Sequence, residues 1–266
     1  MYKKLMTLIV FIAVASCLLI KFPKTIVVAE ELPVLGWGFK RNNNHETPEI
    51  GYYQDIIKNL DAFYVGDTTS KKVYLTFDAG YDNGNLPVIL DILKLKNVKA
   101  TFFVTGDFVN RYTDLLKRMI AEGHIVANHS YHHKNLEKIT CDEMLQDIKS
   151  LEEAYKEKTG QELVKVFRPP EGSFTKKHLE VLSENGYKTI FWSIAYADWL
   201  VDKQKSKEVA YNAIMNNLHA GAIILMHTVS KTNSEVLPLI IDRIIQDGYE
   251  FDLSHRDLLP ICGFFF

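Results

Sequence analysis

Lys72-Val73-Tyr74-Leu75-Thr76-Phe77-Asp78-Ala79-Gly80 is the stretch whose reading decides the fold. Its first six residues read as a strand, and a carboxylate followed by Ala-Gly ends it. An amphipathic helix pattern follows over 86–95, and the alternation then repeats to the end of the chain. Further strands are expected over 100–105, 124–128, 164–167, 187–194, 222–226 and 249–253. The helices between them are expected over 110–122, 142–158, 176–185, 206–218 and 234–246, with Gly123, Gly160 and Gly186 just past three of the helix ends. Strands that alternate with helices of this length imply βαβ units and a parallel sheet. Seven strands in about 190 residues suit a closed or nearly closed barrel better than an open doubly wound sheet. The expected fold class is therefore α/β, a distorted (β/α)7-type barrel with parallel strands. No Gly-x-Gly-x-x-Gly turn follows the first strand, which counts against a dinucleotide-binding fold.

Before Lys71 the chain is less regular. Residues 30–70 are polar and turn-rich, with Gly36-Trp37-Gly38-Phe39 and Asn42-Asn43-Asn44 as loop signals. One short helix is expected over 53–64, in an extension that packs on the outside of the domain formed by 71–266. Residues 1–29 read as an export signal or membrane anchor. Lys3 and Lys4 precede an apolar run from Leu5 to Ile20, and Val27-Val28-Ala29 offers a cleavage site. Val14-Ala15-Ser16-Cys17 also resembles a lipoprotein cleavage box, but Leu18-Leu19-Ile20 carries the apolar run past that cysteine. An exported protein of the cell envelope, with membrane association through this segment, is the expectation.

The 266 residues are 47% hydrophobic and 24% charged, an ordinary globular composition. The first 29 residues hold four lysines and no acid, so the rest carries 27 basic and 33 acidic groups, a formal charge of −6. A nucleic-acid partner is not expected from that balance. With only Cys17, Cys141 and Cys262 present, there is no disulfide framework even in an exported chain. A monomer is expected.

The chemistry lies where the polar residues fall. Asp78 follows the first strand of the repeat, His129 and His133 the third, Arg168 the fourth, Asp198 the fifth and His227 the sixth. In parallel α/β barrels the active site sits at the carboxyl ends of the strands, so these six groups would converge on one face. His129-Ser130-Tyr131-His132-His133 offers two imidazoles four residues apart, and neutral imidazole is the commonest side-chain metal ligand. His132 could also pair with His129. Taken singly, each group has an ordinary structural reading: a turn carboxylate at Asp78, a solvated arginine at Arg168, a helix cap at Asp198, a core histidine at His227. Their shared position makes the case.

Five ordered segments then resemble the motifs of the polysaccharide deacetylases, the NodB-homology fold of carbohydrate esterase family four. They are Thr76-Phe77-Asp78-Ala79-Gly80, His129-Ser130-Tyr131-His132-His133, Arg168-Pro169-Pro170-Glu171-Gly172, Asp198-Trp199 and Leu225-Met226-His227. Within that family the chain looks most like the delta-lactam-biosynthetic de-N-acetylases of spore formers. Asp78-Ala79-Gly80-Tyr81-Asp82-Asn83-Gly84, Phe191-Trp192-Ser193 and Gly36-Trp37-Gly38-Phe39 carry the closer match.

The resemblance implies a metal-dependent N-deacetylase of peptidoglycan glycan strands, acting on N-acetylmuramic acid in muramic delta-lactam formation of spore cortex. It implies that His129 and His133 hold a divalent ion, with zinc expected, and that Asp78 is the general base, paired with Arg168. His227 would be the general acid, supported by Asp198. Trp199 would wall the pocket, with Tyr81, Glu171 and Gly172 binding substrate and a backbone N–H near Glu171 meeting the oxyanion. A divalent ion suits this chemistry because it lowers the pKa of water from 15.7 to about 7 and polarises a carbonyl. One departure stands out. The common family motif has a second aspartate, the third metal ligand, where this chain has Ala79; the delta-lactam subgroup often lacks it. Asp82, Asn83 or water could complete the shell. A chitin- or xylan-type deacetylase and a catalytically impaired glycan-binding module are the alternatives.

Overall fold

The computed structural model describes residues 35–253. The export segment over 1–29, Cys17 and Cys262 lie outside the described residues. Among the described residues no helix is long and apolar enough to cross a membrane.

Strands β1 (Leu35–Gly36), β2 (Ala62–Phe63), β3 (Lys72–Ala79), β4 (Thr101–Val104) and β5 (Ile125–Asn128) are followed by β6 (Val166–Phe167), β7 (Ser173–Phe174), β8 (Lys188–Ile190), β9 (Ala222–His227) and β10 (Glu250–Phe251). The helices are α1 (Tyr53–Ile57), α2 (Leu86–Leu95), α3 (Gly106–Arg111), α4 (Thr113–Ala121), α5 (Cys141–Thr159), α6 (Lys176–Glu184), α7 (Lys207–Met215) and α8 (Lys231–Gln246). The main sheet runs β10-β3-β4-β5-β6-β8-β2, with β9 also paired to β3. All of its pairings are parallel. β3 is the hub. Its first residues pair with β10 and its last four with β4, while β9 runs beside it from Val73 to Asp78. The segment after β8 brings the sheet back round to β9. Ser193 N–H donates to the Ile223 carbonyl at 3.0 Å, and Leu225 N–H to Ile194 at 2.9 Å.

Strand alternation divides β3 between two environments. Val73, Leu75, Phe77 and Ala79 face outward into the large apolar cluster shared with Leu86, Ile89, Leu90 and Leu93 of α2 and Val236, Leu237, Ile240, Ile241 and Ile244 of α8. Tyr74 faces inward, where Phe103, Ala127, Val166, Ile190 and Ile223 meet it. Six strands thus each give one side chain to an interior plug. Burying each large apolar side chain contributes about 1.5–3 kcal/mol. Thr76 and Asp78 come next on the same inward face of β3, above that plug.

The structure departs from the expected elements in several places. The helix expected over 53–64 ends at Ile57, because Lys58 leaves the helical region (ψ 130°) and Asn59 turns left-handed (φ 64°). The chain then contributes β2, an additional strand parallel to β8. The extension is therefore built into the sheet as well as packed on it: Trp37, Ile50, Tyr53 and Ala62 share a cluster with Phe167, Phe174, Leu179 and Phe191. The single helix expected over 110–122 is two, starting earlier at Gly106 under a Thr105 cap and broken at Tyr112 (φ −120°, ψ 40°). α8 begins at Lys231, where Ser230 Oγ accepts from Asn233 N–H.

Candidate active site

The side chains picked out in the sequence gather at the carboxyl ends of the strands, above the interior plug. Asp78 is next to last in β3, His129 directly follows β5, Arg168 directly follows β6, and His227 ends β9. Asp198 sits in the loop after β8. They surround a cavity of about 580 Å³ whose walls include Asp78, Tyr81, His129, His133, Trp199 and His227. Arg168 and Asp198 lie buried beneath this lining.

Arg168 is fully buried and hydrogen-bonded through all three of its guanidinium nitrogens. Nη1 donates to Asp78 Oδ1 at 2.8 Å, Nη2 to Thr76 Oγ1 at 2.9 Å, and Nε to the Ile190 carbonyl at 3.1 Å. Its guanidinium also lies 3.9 Å from the centroid of the Phe103 ring. A planar fork suits such a site better than a lysine would. Burial works against the Asp78 carboxylate, but the charges facing it from His129, Arg168 and His227, with the Arg168 hydrogen bond, outweigh burial and hold its pKa below the usual value. His129 is itself pushed down to about 4, chiefly by burial, so at neutral pH Arg168 carries most of that stabilisation. Asp78 Oδ1 is spoken for by Arg168. Oδ2 stands 3.5 Å from His129 Nε2 and 4.0 Å from His227 Nε2.

The second pair is His227 with Asp198. His227 Nδ1 meets Asp198 Oδ1 at 2.7 Å, and its backbone N–H donates to Oδ2 at 2.8 Å. Asn233 Nδ2 donates to the same Oδ2 at 2.6 Å and to the His227 carbonyl at 3.0 Å, and the Tyr196 hydroxyl donates to Asn233 Oδ1. Asp198 therefore fixes the His227 ring with Nδ1 protonated and Nε2 toward the cavity. Burial lowers the His227 pKa, but the Asp198 hydrogen bond and charge, helped by Asp78, raise it above the ordinary value.

The histidine loop is folded tightly. Ser130 and His133 both take left-handed backbone (φ 66° and 53°). Ser130 Oγ accepts from His133 N–H at 2.9 Å, and Asn128 Oδ1 from Ser130 N–H at 2.8 Å. The His129 and His133 rings meet edge to face with centroids 4.9 Å apart. His129 Nδ1 bonds the Arg168 carbonyl at 2.9 Å, which leaves the Nε2 lone pair facing the cavity. A neutral imidazole whose other nitrogen donates to a carbonyl is the usual arrangement of a metal-ligating histidine. His132 is set apart from this pair by bonding the Asp147 carboxylate through Nδ1.

The donor set beside that pair is sparse. Among the described residues no cluster of three or more His, Cys, Asp or Glu side chains forms a metal cage. Ala79 is buried in the outer apolar cluster, on the face of β3 opposite Asp78. Asp82 Oδ1 accepts from Gly84 and Leu86 N–H at the start of α2, and Asn83 Nδ2 donates to the Val229 carbonyl. The residues present fit a divalent ion held by two imidazoles, with its other positions open to water and substrate, as catalytic metal sites require.

Tyr81 and Trp199 stand at the cavity mouth, 41% and 53% exposed. Glu171 and Gly172 do not line the cavity. Glu171, left-handed at φ 58°, accepts from Asn135 Nδ2. Gly172 N–H donates to the Pro169 carbonyl at 3.0 Å, its own carbonyl accepts from Trp37 N–H, and a Cβ there would stand 2.8 Å from Trp192. Thr76, Asn233 and Asp147 support the site without having been singled out in the sequence. Asp147 alone carried a signal, being a carboxylate on the buried stripe of Met144, Ile148, Leu151 and Tyr155.

A parallel α/β barrel with buried carboxylate–arginine and carboxylate–imidazole pairs beside two further imidazoles on one cavity has the groups that hydrolysis uses. The profile of the polysaccharide deacetylase family matches residues 65–190. The peptidoglycan-N-acetylmuramic acid deacetylase PdaA of Bacillus subtilis is 44% identical over 226 residues, which is 84% of this chain and 86% of that protein. The solved structure of PdaA, a family 4 carbohydrate esterase, superposes with a TM-score of 0.81 at 43% identity, covering 85% of this chain and 97% of the other. A family 4 carbohydrate esterase from Bacillus anthracis gives a TM-score of 0.70 at 40% identity, covering 85% and 96%. The chain belongs to the polysaccharide deacetylase family, hydrolases acting on amide bonds.

Proposed function

We propose that this chain is a metal-dependent N-deacetylase of peptidoglycan that removes the acetyl group from N-acetylmuramic acid residues. The freed amine would serve muramic delta-lactam formation in spore cortex, after export of the enzyme to the cell envelope. The observation that carries this reading is the opposed pairing around one cavity. Arg168 favours the ionised form of Asp78, and Asp198 favours the protonated form of His227. Two groups whose surroundings push their pKa values apart supply the base and the acid that amide hydrolysis requires. The likeness to an enzyme named for N-acetylmuramic acid supports the substrate.

Asp78 Oδ2, the oxygen left free by Arg168, takes a proton from water as that water's oxygen adds to the acetyl carbon. His227 Nε2 then protonates the sugar nitrogen as the carbon–nitrogen bond breaks, giving acetate and a free amine. A divalent ion held by His129 and His133 would polarise the acetyl carbonyl and acidify water there. Trp199, whose ring lies 5.8 Å from that of His227, offers an apolar face to the sugar. Gly172 N–H is already hydrogen-bonded to the Pro169 carbonyl, and a backbone N–H near Glu171 would meet the oxyanion.

Comparing Asp78→Asn with the parent enzyme tests the reading against a pure glycan binder. Acetate release from peptide-stripped glycan strands should fall at least about 100-fold, while binding of the strands changes little. A parent enzyme that releases no acetate with any divalent ion would overturn it.

A further inference from the structure

We propose that Asp147, on the buried face of α5, is a positioning residue for the two-histidine site. The loop from His129 to His133 is short, contains two left-handed residues, and projects beyond the end of β5. Ser130 Oγ braces the His133 N–H, but no side chain of the loop holds the Tyr131 and His132 peptides between the two imidazoles. Asp147 does so from below. Oδ2 accepts from the backbone N–H groups of Tyr131 and His132, at 3.0 and 3.1 Å, and Oδ1 bonds His132 Nδ1. One buried carboxylate thus satisfies two of the three peptide N–H groups lying between His129 and His133 and ties the side chain next to His133. A second tether runs parallel to it, since Asn128 Nδ2 donates to the Ile148 carbonyl at 3.0 Å. α5 therefore grips the loop at both ends of its turn.

The placement is costly unless it serves the loop. Asp147 interrupts an apolar stripe, and a buried carboxylate is tolerated only when hydrogen-bonded. An apolar residue there would pack against the same cluster but leave two peptide N–H groups without partners. With only two imidazoles offered to the ion, their spacing decides affinity more than it would in a site with a carboxylate as third ligand. Partners that orient metal ligands change affinity by about 10- to 100-fold when removed.

This inference rests on the two-histidine reading, and the experiment separates the two. Zinc binding to the full chain, freed of metal by chelator, is measured by competition with a chromophoric chelator well below the thermal midpoint of each variant. Asp147→Ala removes every bond. Asp147→Asn keeps an acceptor for the peptide N–H groups and loses the charge. The Kd should rise at least about tenfold for Asp147→Ala and by a smaller factor for Asp147→Asn, with circular dichroism unchanged. A merely structural role would lower the midpoint and leave the Kd of the folded protein alone. Wild-type Kd in both variants would overturn the proposal. If Asp147→Ala does not fold, an unchanged Kd in Asp147→Asn overturns it by itself. Loss of zinc binding in His129→Ala is the control. A parent protein that binds no zinc, or a His129→Ala variant that binds it normally, would overturn the two-histidine reading instead.

Discussion

His227, the proposed general acid, donates two hydrogen bonds to one carboxylate. Asp198 holds both its ring and its backbone, and Asn233, itself held by the Tyr196 hydroxyl, holds Asp198. Asp198→Asn keeps the shape but removes the charge that raises the His227 pKa. The alkaline limb of kcat should therefore move to lower pH, because a His227 with a lower pKa loses its proton sooner as pH rises, and kcat at neutral pH should fall about 10- to 100-fold. A pH–rate profile of the variant that overlays the parent's would count against His227 as the acid. The residues themselves were readable in sequence, since Asp78, His129, Arg168 and His227 each fall at a strand end. Asn233 and Thr76 were not. An asparagine on a helix and a threonine within a strand acquire their roles only when the sheet curls and brings Asp198 and Arg168 against them.

At the scale of the element, α3 and the histidine loop are locked by close backbone approach. Gly106 N–H donates to the Tyr131 carbonyl at 3.0 Å, and a Cβ at Gly106 would stand 2.7 Å from that oxygen and 2.5 Å from the Tyr131 ring. Gly106→Ala must displace backbone as well as side chain. It should cost about 1–3 kcal/mol in urea denaturation and lower kcat as the loop shifts. A variant with parental stability and rate would show the contact to be slack. Long periodic elements such as α2 and α5 were legible because their apolar stripes repeat over several turns. β2 was not. Two residues carry no periodicity, and Ala62–Phe63 becomes a strand only because β8 offers it a parallel edge.

At the scale of the whole molecule, burial favours the neutral form of several histidines outside the cavity, and stability should depend on pH through them. His124 is the simplest case. It accepts from Ala100 N–H through Nδ1, and burial, then Lys99, push its pKa down to about 4. The unfolded chain takes up its proton near pH 6.5, well before the folded one does. Its contribution is therefore complete above about 6.5 and is lost as pH falls toward 4, amounting to about 2 kcal/mol by pH 5. In metal-free protein, denaturation at pH 7 and 5 should show a shallower pH dependence for His124→Phe than for the parent. Equal dependence would mean that His124 titrates normally.

The overall architecture of a curled parallel sheet, with its site at the carboxyl ends, followed from the alternation that begins at Lys72. The missing carboxylate at Ala79 was equally plain, and Asp82 Oδ1 and Asn83 Nδ2 are both engaged in hydrogen bonds of the loop that leads into α2. Everything then turns on whether a site with two imidazoles deacetylates muramic acid. Peptide-stripped glycan strands incubated with zinc-loaded enzyme, digested and analysed by mass spectrometry, answer that directly. Acetate is expected, together with saccharides that have lost acetyl from muramic acid residues and kept it on glucosamine. Acetyl loss from glucosamine alone, or from neither sugar, would contradict it.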